Sequence, residues 1–151
     1  MAKIVIRDGE PTDHPFVRDT IRKSLLDYSA YFKHLSQHIF GVLMDPVIAT
    51  QRLLVAMPVD SPADILGFIL YDPPSIVSFV YVRNDLRRGG VATALAQTAG
   101  IAKGEIQCPF LTTKINGQNF PRLAADKGYV IRFRPFLPLE IAATIYGVTH
   151  A

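Results

Sequence analysis

Between Ser75–Arg83, the most strand-like stretch of the chain, and a run of small helix-forming residues, the sequence reads Arg87-Arg88-Gly89-Gly90-Val91-Ala92-Thr93. At a strand-to-helix junction the first backbone N–H groups of the helix have no partner within it, and the positive end of the helix dipole lies beside them. Adjacent glycines let an anion approach that backbone without interference from Cβ, and two arginines add full positive charges. The chemistry this supports is the binding of a phosphate or pyrophosphate. The segment is not a Gly-x-Gly-x-x-Gly after a first strand and lacks a Gly-Lys-Ser/Thr ending, which argues against dinucleotide-binding and NTPase loops. The plainer alternative is a tight turn with solvated arginines. Such a turn needs one glycine, whereas this loop has two, flanked by cations and followed by small residues.

Other reactive residue types are sparse. His34 and His38 stand four apart, with Tyr31 three before His34, so on a helix they share one face. A metal needs a further ligand and none is near in sequence; the expectation is no metal and an exposed pair. Cys108 is the one cysteine, which rules out an internal disulfide and a cysteine-based zinc cluster. It precedes Pro109, has no His or Asp close by, and reads as a small buried apolar residue, not a nucleophile.

Periodicity gives the elements that must position the junction. Lys3 to Arg7 alternates around Ile4, Val5 and Ile6 and stops at Asp8-Gly9, a short strand and a turn. Thr12 or Asp13 suits an N-cap and Pro15 the first turn of a helix with Phe16, Val17, Ile21, Leu25 and Leu26 as its apolar positions. A second helix is expected from Tyr31 to Met44, with Asp45-Pro46 as its stop. Arg52–Pro58 and Ile65–Tyr71 flank a turn-rich loop and read as an antiparallel hairpin, and Asp72-Pro73-Pro74 reverses the chain into Ser75–Arg83. A helix over Arg88 to Lys103 leads to a strand at Phe110 to Lys114. Strand, helix and strand make a right-handed crossover, so strands 75–83 and 110–114 are expected to be parallel. Gln118 to Lys127 fits a short helix closed by Gly128, Tyr129 to Arg134 a strand, and Ile141 to Val148 either a last strand or a short helix. The expected fold class is α/β: one domain over 1–151, with a mixed, mostly antiparallel twisted sheet, helices on both faces and a central parallel strand pair.

In this order of elements the junction resembles the signature Gln/Arg-x-x-Gly-x-Gly/Ala of the GCN5-related N-acetyltransferases, with Arg87, Gly90 and Ala92 at its fixed positions. Ile6-Arg7 with Pro11 and Asp13 is similar to the family's opening, and Gly128-Tyr129 to the Gly-Phe or Gly-Tyr that ends its fourth helix. The resemblance implies that the parallel strands splay and admit the pantetheine arm of acetyl-coenzyme A. The backbone of Val80 and Val82 would pair with that arm. The amides of Gly89, Gly90, Val91, Ala92 and Thr93 would hold the pyrophosphate, with Arg87 bracing the loop or meeting a phosphate, Arg88 toward the 3′-phosphate side, and Asn116 near the cofactor. The activity implied is transfer of an acetyl group to a primary amine by direct attack, with no metal.

The chain departs from that family at its usual acid, a helix-four tyrosine, whose position is Ala124 here. Tyr81 and Tyr129 are the nearest phenolic substitutes, although both also read as core aromatics of apolar strands. The carboxylate the family often carries on the strand before the signature is missing from Ser75 to Val82. Ser78, two residues from Val80 and so expected on its face, is the candidate to hold a proton-relaying water; a small residue tolerated in a strand is the alternative. These departures keep open a second reading, a binding module with the fold but without catalysis.

Composition bounds the rest. A chain of 151 residues, 49% of them apolar, has enough side chains for the core of one domain. Its longest strongly apolar run, Ile76 to Val82, is far short of the ~20 residues a membrane helix needs. Charges at Lys3, Arg7, Asp8 and Glu10 are followed by no secretory apolar segment, so the expected location is cytoplasmic. A net charge of +3 is too small to announce a nucleic-acid binder. Arg83, Arg87, Arg88, Arg132 and Arg134 keep a phosphate-contacting alternative open. The apolar tail Leu137 to Val148, if it is an exposed edge strand, predicts a homodimer.

Overall fold

A computed structural model describes residues 3–29, 34, 36–86, 90–110, 114–115, 118–119 and 124–145. In chain order the elements are β1 (Ile4–Asp8), a 3-10 turn (Pro11–Asp13), α1 (His14–Tyr28), α2 (Gln37–Thr50), β2 (Arg52–Pro58), β3 (Gly67–Asp72), β4 (Ile76–Val82), a second 3-10 turn (Asn84–Leu86), α3 (Val91–Ala99), β5 (Gly104–Cys108), β6 (Lys114–Ile115), β7 (Gln118–Asn119), β8 (Tyr129–Phe133) and α4 (Leu137–Ile145). Six strands form one sheet in the order β1-β2-β3-β4-β5-β8, and β6 pairs with β7 separately. The pairs from β1 to β4 are antiparallel, whereas β4–β5 and β5–β8 are parallel. The mixed α/β sheet expected from the sequence is the one observed.

Both faces of the sheet are buried, so β3 is apolar at almost every position instead of alternating. On one face Val17, Ile21 and Leu25 of α1 and Phe40, Met44 and Val47 of α2 pack on Val55, Phe68, Leu70 and Phe79. On the other Val91, Leu95 and Ala99 of α3 pack on Leu54, Ala56, Ile69, Tyr71 and Val82. Gly67 allows a close approach within the sheet. A Cβ there would lie 2.7 Å from the Tyr81 carbonyl oxygen of β4, so only glycine fits this close approach of β3 to β4, and it would stand in ordinary contact with Val91 of α3 at 3.4 Å.

Four sequence expectations are corrected. Pro46 does not stop α2 but lies inside it. An interior proline costs ~3 kcal/mol or more. Pro46, Val47 and Ile48 are all buried, and each fully buried Val or Ile returns roughly 1.5–3 kcal/mol; burial outweighs the lost hydrogen bond. The strand after α3 is Gly104–Cys108, not 110–114, because α3 ends at the left-handed Gly100 (φ 73°) and the chain turns early. Phe110 is buried outside that strand in the α1/α2 cluster, and 111–113 lie outside the described residues. Within 118–127, β7 takes Gln118–Asn119, so the expected helix does not begin at Gln118; 124–126 is helical, and 120–123 lie outside the described residues. The tail is a helix through Ile145: Leu137 and Ile141, one turn apart, pack inward, and Pro138 sits in the first turn where a proline is tolerated. An edge strand in 137–145, on which the dimer expectation rested, is therefore not present.

Candidate functional site

The strands that flank the candidate site, β4 and β5, pair at a single register position, Ile76↔Gln107, reinforced by the Gln107 N–H donating to the Ser75 carbonyl at 2.7 Å. Two residues farther along, the parallel register sets Ser78 opposite Pro109. Each is a device that ends a ladder. Pro109 has no N–H to donate. Ser78 is a bulge: Leu70 pairs with Phe79 and Tyr71 with Val77, leaving Ser78 over. Among the described residues the β4–β5 ladder ends at Ile76↔Gln107, short of Val80–Val82.

The bulge also shifts which way side chains point. Val77 packs in the α3-side cluster and Phe79 in the α1/α2-side cluster, although regular alternation would give both one face. Val80 and Val82 face α3, while Tyr81 faces α1 and α2. Ser78 does not follow Val80. It is 0% exposed, and its hydroxyl donates to Gln51 Oε1 at the end of α2. Gln51 Nε2 is buried with no hydrogen-bond partner.

α3 starts beyond the C-terminal end of β4, with Val91 and Val82 in one cluster. Gly90 is its N-cap in the left-handed region (φ 84°), with no side-chain cap and no acidic residue in the first turn. The first helical bond, Ala94 N–H to the Gly90 carbonyl at 2.9 Å, leaves the N–H groups of Val91, Ala92 and Thr93 without helical partners. Val91 is buried against the sheet, and Ala92 and Thr93 are exposed. A short, uncapped helix end with small exposed residues fits an anionic group such as a pyrophosphate. Arg87, Arg88, Gly89 and Asn116 lie outside the described residues.

The two tyrosines are not brought together. Tyr81 stacks its edge against Phe16 (5.9 Å between ring centroids) and lies 5.5 Å from Phe68. Tyr129 packs on the α3-side cluster from β8, with β5 between it and β4. Ala124, at the family's usual tyrosine position, is buried. His34 precedes α2, which begins at Gln37, so His34 and His38 do not share a helix; both are exposed. No group of three metal-ligating side chains occurs among the described residues. Burial pushes the Cys108 thiol up to about 12, so it is not a thiolate at neutral pH.

Several basic residues have acidic partners. Arg83 binds Asp85 through two hydrogen bonds, Arg132 meets Glu105, and Arg134 meets Glu140. Arg7 sends its N–H groups to both oxygens of the buried Asp13, to the Asp8 and Pro62 carbonyls and to Met57 Sδ, tying β1 to the 3-10 turn and the β2–β3 loop. The hydrogen bonds from Arg7 hold the Asp13 carboxyl below its ordinary value. Among the described residues no helix is long and apolar enough to cross a membrane.

No protein-family model matches the sequence, and no curated protein matches it. Solved structures do. A candidate acetyl transferase from Pyrococcus furiosus superposes with a TM-score of 0.52 at 14% identity, over 99% of this chain and 95% of its own. A candidate acetyltransferase from Clostridium difficile 630 gives 0.54 at 14% identity, over 87% and 93%. A GNAT family acetyltransferase from Brucella melitensis, in complex with acetyl-CoA, gives 0.45 at 17% identity, over 72% and 75%. At these identities the likeness is one of fold. The strand order and the near-full-length superpositions agree: the chain has the fold of the two candidate acetyltransferases from Pyrococcus furiosus and Clostridium difficile 630.

Proposed function

We propose that the protein is an N-acetyltransferase that uses acetyl-coenzyme A to acetylate a primary amine by direct attack within a ternary complex. The observation that carries the reading is the early end of the β4–β5 ladder, at Ile76↔Gln107 among the described residues, with the start of α3 and its first amides, which lack helical partners, beyond β4. The opening this reading requires lies between the two strands past that point. In this reading the backbone of Val80 and Val82 pairs with the amide groups of the pantetheine arm. The amides of Gly89 through Thr93 hold the pyrophosphate, with Arg87 bracing the loop, Arg88 toward the 3′-phosphate, and Asn116 beside the arm. When bound, acetyl-coenzyme A supplies the acyl carbon and a thiolate leaving group. Of the residues put forward for proton transfer, Tyr81 is on a strand that borders the opening, whereas Tyr129 is a strand removed. Ser78, engaged with Gln51, holds the bulge instead of a cleft-facing water.

Binding of acetyl-coenzyme A, measured by calorimetry, tests the reading. The wild type is expected to bind. Gly90→Glu places a carboxylate against the three free amides on a backbone that disfavours any side chain, and is expected to lose binding. A wild type that does not bind removes the proposal. A second reading, a binding module without catalysis, is favoured by Ala124, buried where the family places its acid. Thiol release from acetyl-coenzyme A over a panel of amines separates the two, because turnover with any amine excludes the inactive module.

A further inference from the structure

On the α1 side of the sheet a cleft of about 670 Å³ opens between the 3-10 turn, the start of α1, the β2–β3 loop and Arg83 beyond β4. That volume suits a small organic molecule. Phe16 lines it, 38% exposed, with its ring set edge-on to Phe68 and Tyr81. An aromatic surface therefore lies open in a cleft lined by charged side chains and by the apolar Pro62, Ala63 and Ile65.

The charges of the lining decide the ligand. Arg7 is spent on Asp13, two carbonyls and Met57, so neither member of the Arg7–Asp13 pair offers charge to a ligand. Arg83 is held by both oxygens of Asp85. Glu10, entering from the β1–α1 connection, lies in the field of Arg7, and Asp64, from the β2–β3 loop, accepts from the Ser61 hydroxyl and lies in the field of Arg83. With Asp13 the lining sets three carboxylates against two guanidiniums, and Asp85 adds a fourth carboxylate on Arg83. An anion would meet these carboxylates while both arginines are engaged elsewhere. A cation on an apolar stem would find carboxylates for its charge and the face of Phe16 for its stem or its ammonium. The chain as a whole carries +3, so the excess of acid is local to the cleft.

We propose that this cleft binds an organic ammonium ion with an aliphatic stem, and that it is where the amine acceptor docks. The first statement stands on the cleft alone; the second rests on the acetyl-transfer reading. The cleft adjoins Tyr81 through Phe16, on the sheet face opposite α3, so acceptor and acyl donor would enter from the two sides of the sheet.

The test is titration of the full chain, without acetyl-coenzyme A, with n-pentylamine and 1,5-diaminopentane, against 1-pentanol and glutarate as neutral and anionic controls. The amines are expected to bind, with affinity falling as salt rises, and the diamine is expected to bind more tightly. The double variant Glu10→Gln/Asp64→Asn, its fold checked by circular dichroism, is expected to lose at least about tenfold in amine affinity. Phe16→Leu is expected to lose several-fold for the amines. Equal binding of 1-pentanol, preference for glutarate, or unchanged affinity in the double variant overturns the cation site. Amine binding in a protein that does not bind acetyl-coenzyme A upholds the cation site and overturns the docking role. Acetyl-coenzyme A binding without amine binding overturns the cleft and leaves the acetyl-transfer reading standing.

Discussion

Gly67→Ala tests whether the approach of β3 to β4 is set by one missing methyl group. The added Cβ would stand 2.7 Å from the Tyr81 carbonyl oxygen, 3.4 Å from Val91 Cγ1 and 3.5 Å from Leu95 Cδ1. The two side-chain contacts are of ordinary length. The carbonyl cannot yield, because Gly67 is paired with Val82 in the ladder next to Tyr81, so relief must come from prising β3 from β4, which also disturbs the floor on which α3 packs. Overpacking of this kind costs about 1–3 kcal/mol. For a chain of this length each kcal/mol lowers Tm by roughly 2–4 °C, so the expected fall is about 2–12 °C. On the proposed reading α3 carries the amides at the mouth of the opening, so acetyl-coenzyme A affinity is also expected to fall at a temperature where the variant is fully folded. Thermal unfolding followed by circular dichroism, and calorimetric titration, measure the two effects. An unchanged Tm would refute the reasoning, since it would mean that β3 and β4 are not held this close at Gly67.

Gly41→Ala is the matched opposite: a Cβ there meets only Asp45 Oδ2 at 3.9 Å, the site is inside α2, and the expected gain is about 0.5–1 kcal/mol, seen as a higher Tm. Asp13→Ala is expected to cost about 1.5–3 kcal/mol at neutral pH by leaving the Arg7 guanidinium without its carboxylate. The sign of its pH dependence follows from the lowered carboxyl. The stabilisation is full above the ordinary aspartate range and is lost as pH falls through the lower folded-state value, so denaturant titrations of wild type and variant should converge in acid. Cys108 is expected to resist iodoacetamide at pH 8 in the native protein and to react on unfolding. Rapid native labelling would contradict a thiol raised to about 12 by burial.

The parts of the fold legible in the sequence are those fixed by local signals. The hairpin Arg52–Pro58 with Gly67–Asp72 follows from two apolar runs about a turn-rich loop, and β4 from its β-branched and aromatic density. What misled was burial overriding a local signal. Pro46 reads as a stop until Val47 and Ile48 are seen to be core. β5 is hard to read because Glu105-Ile106-Gln107-Cys108 alternates polar with apolar over only four residues, while the more apolar Phe110 that follows is core without being strand. At the candidate site the glycine-capped start of α3 was visible as a junction. The bulge was not, because it exists only in the register of β4 against β3. Gly67 did carry a signal, an isolated glycine at the head of an apolar strand, which marks a close backbone approach.

The coincidence of Ser78 and Pro109 bears on which tyrosine could serve as the acid. A parallel pair held together along its length would close the sheet between β4 and β5 and leave Tyr81 and Tyr129 separated by an unbroken layer. On the proposed reading the edge of β4 beyond Ile76↔Gln107 and the bulge faces the opening, and Tyr81 is a residue of that strand. β8 gains nothing from the parting, because all five of its residues remain paired with β5 and the break lies on the far side of β5. On the proposed reading, then, Tyr81 is the phenol with a path to the leaving thiolate. Its ring contacts with Phe16 and Phe68 also orient it and join the proposed amine cleft to the strand that would hold the acyl donor. A thiol with an ordinary pKa near ~8.5 leaves tolerably well even unprotonated. Replacing the family's helix-four tyrosine with the buried Ala124 would therefore slow the final proton transfer without abolishing the reaction, which is why the fold can carry this substitution and still be read as an enzyme.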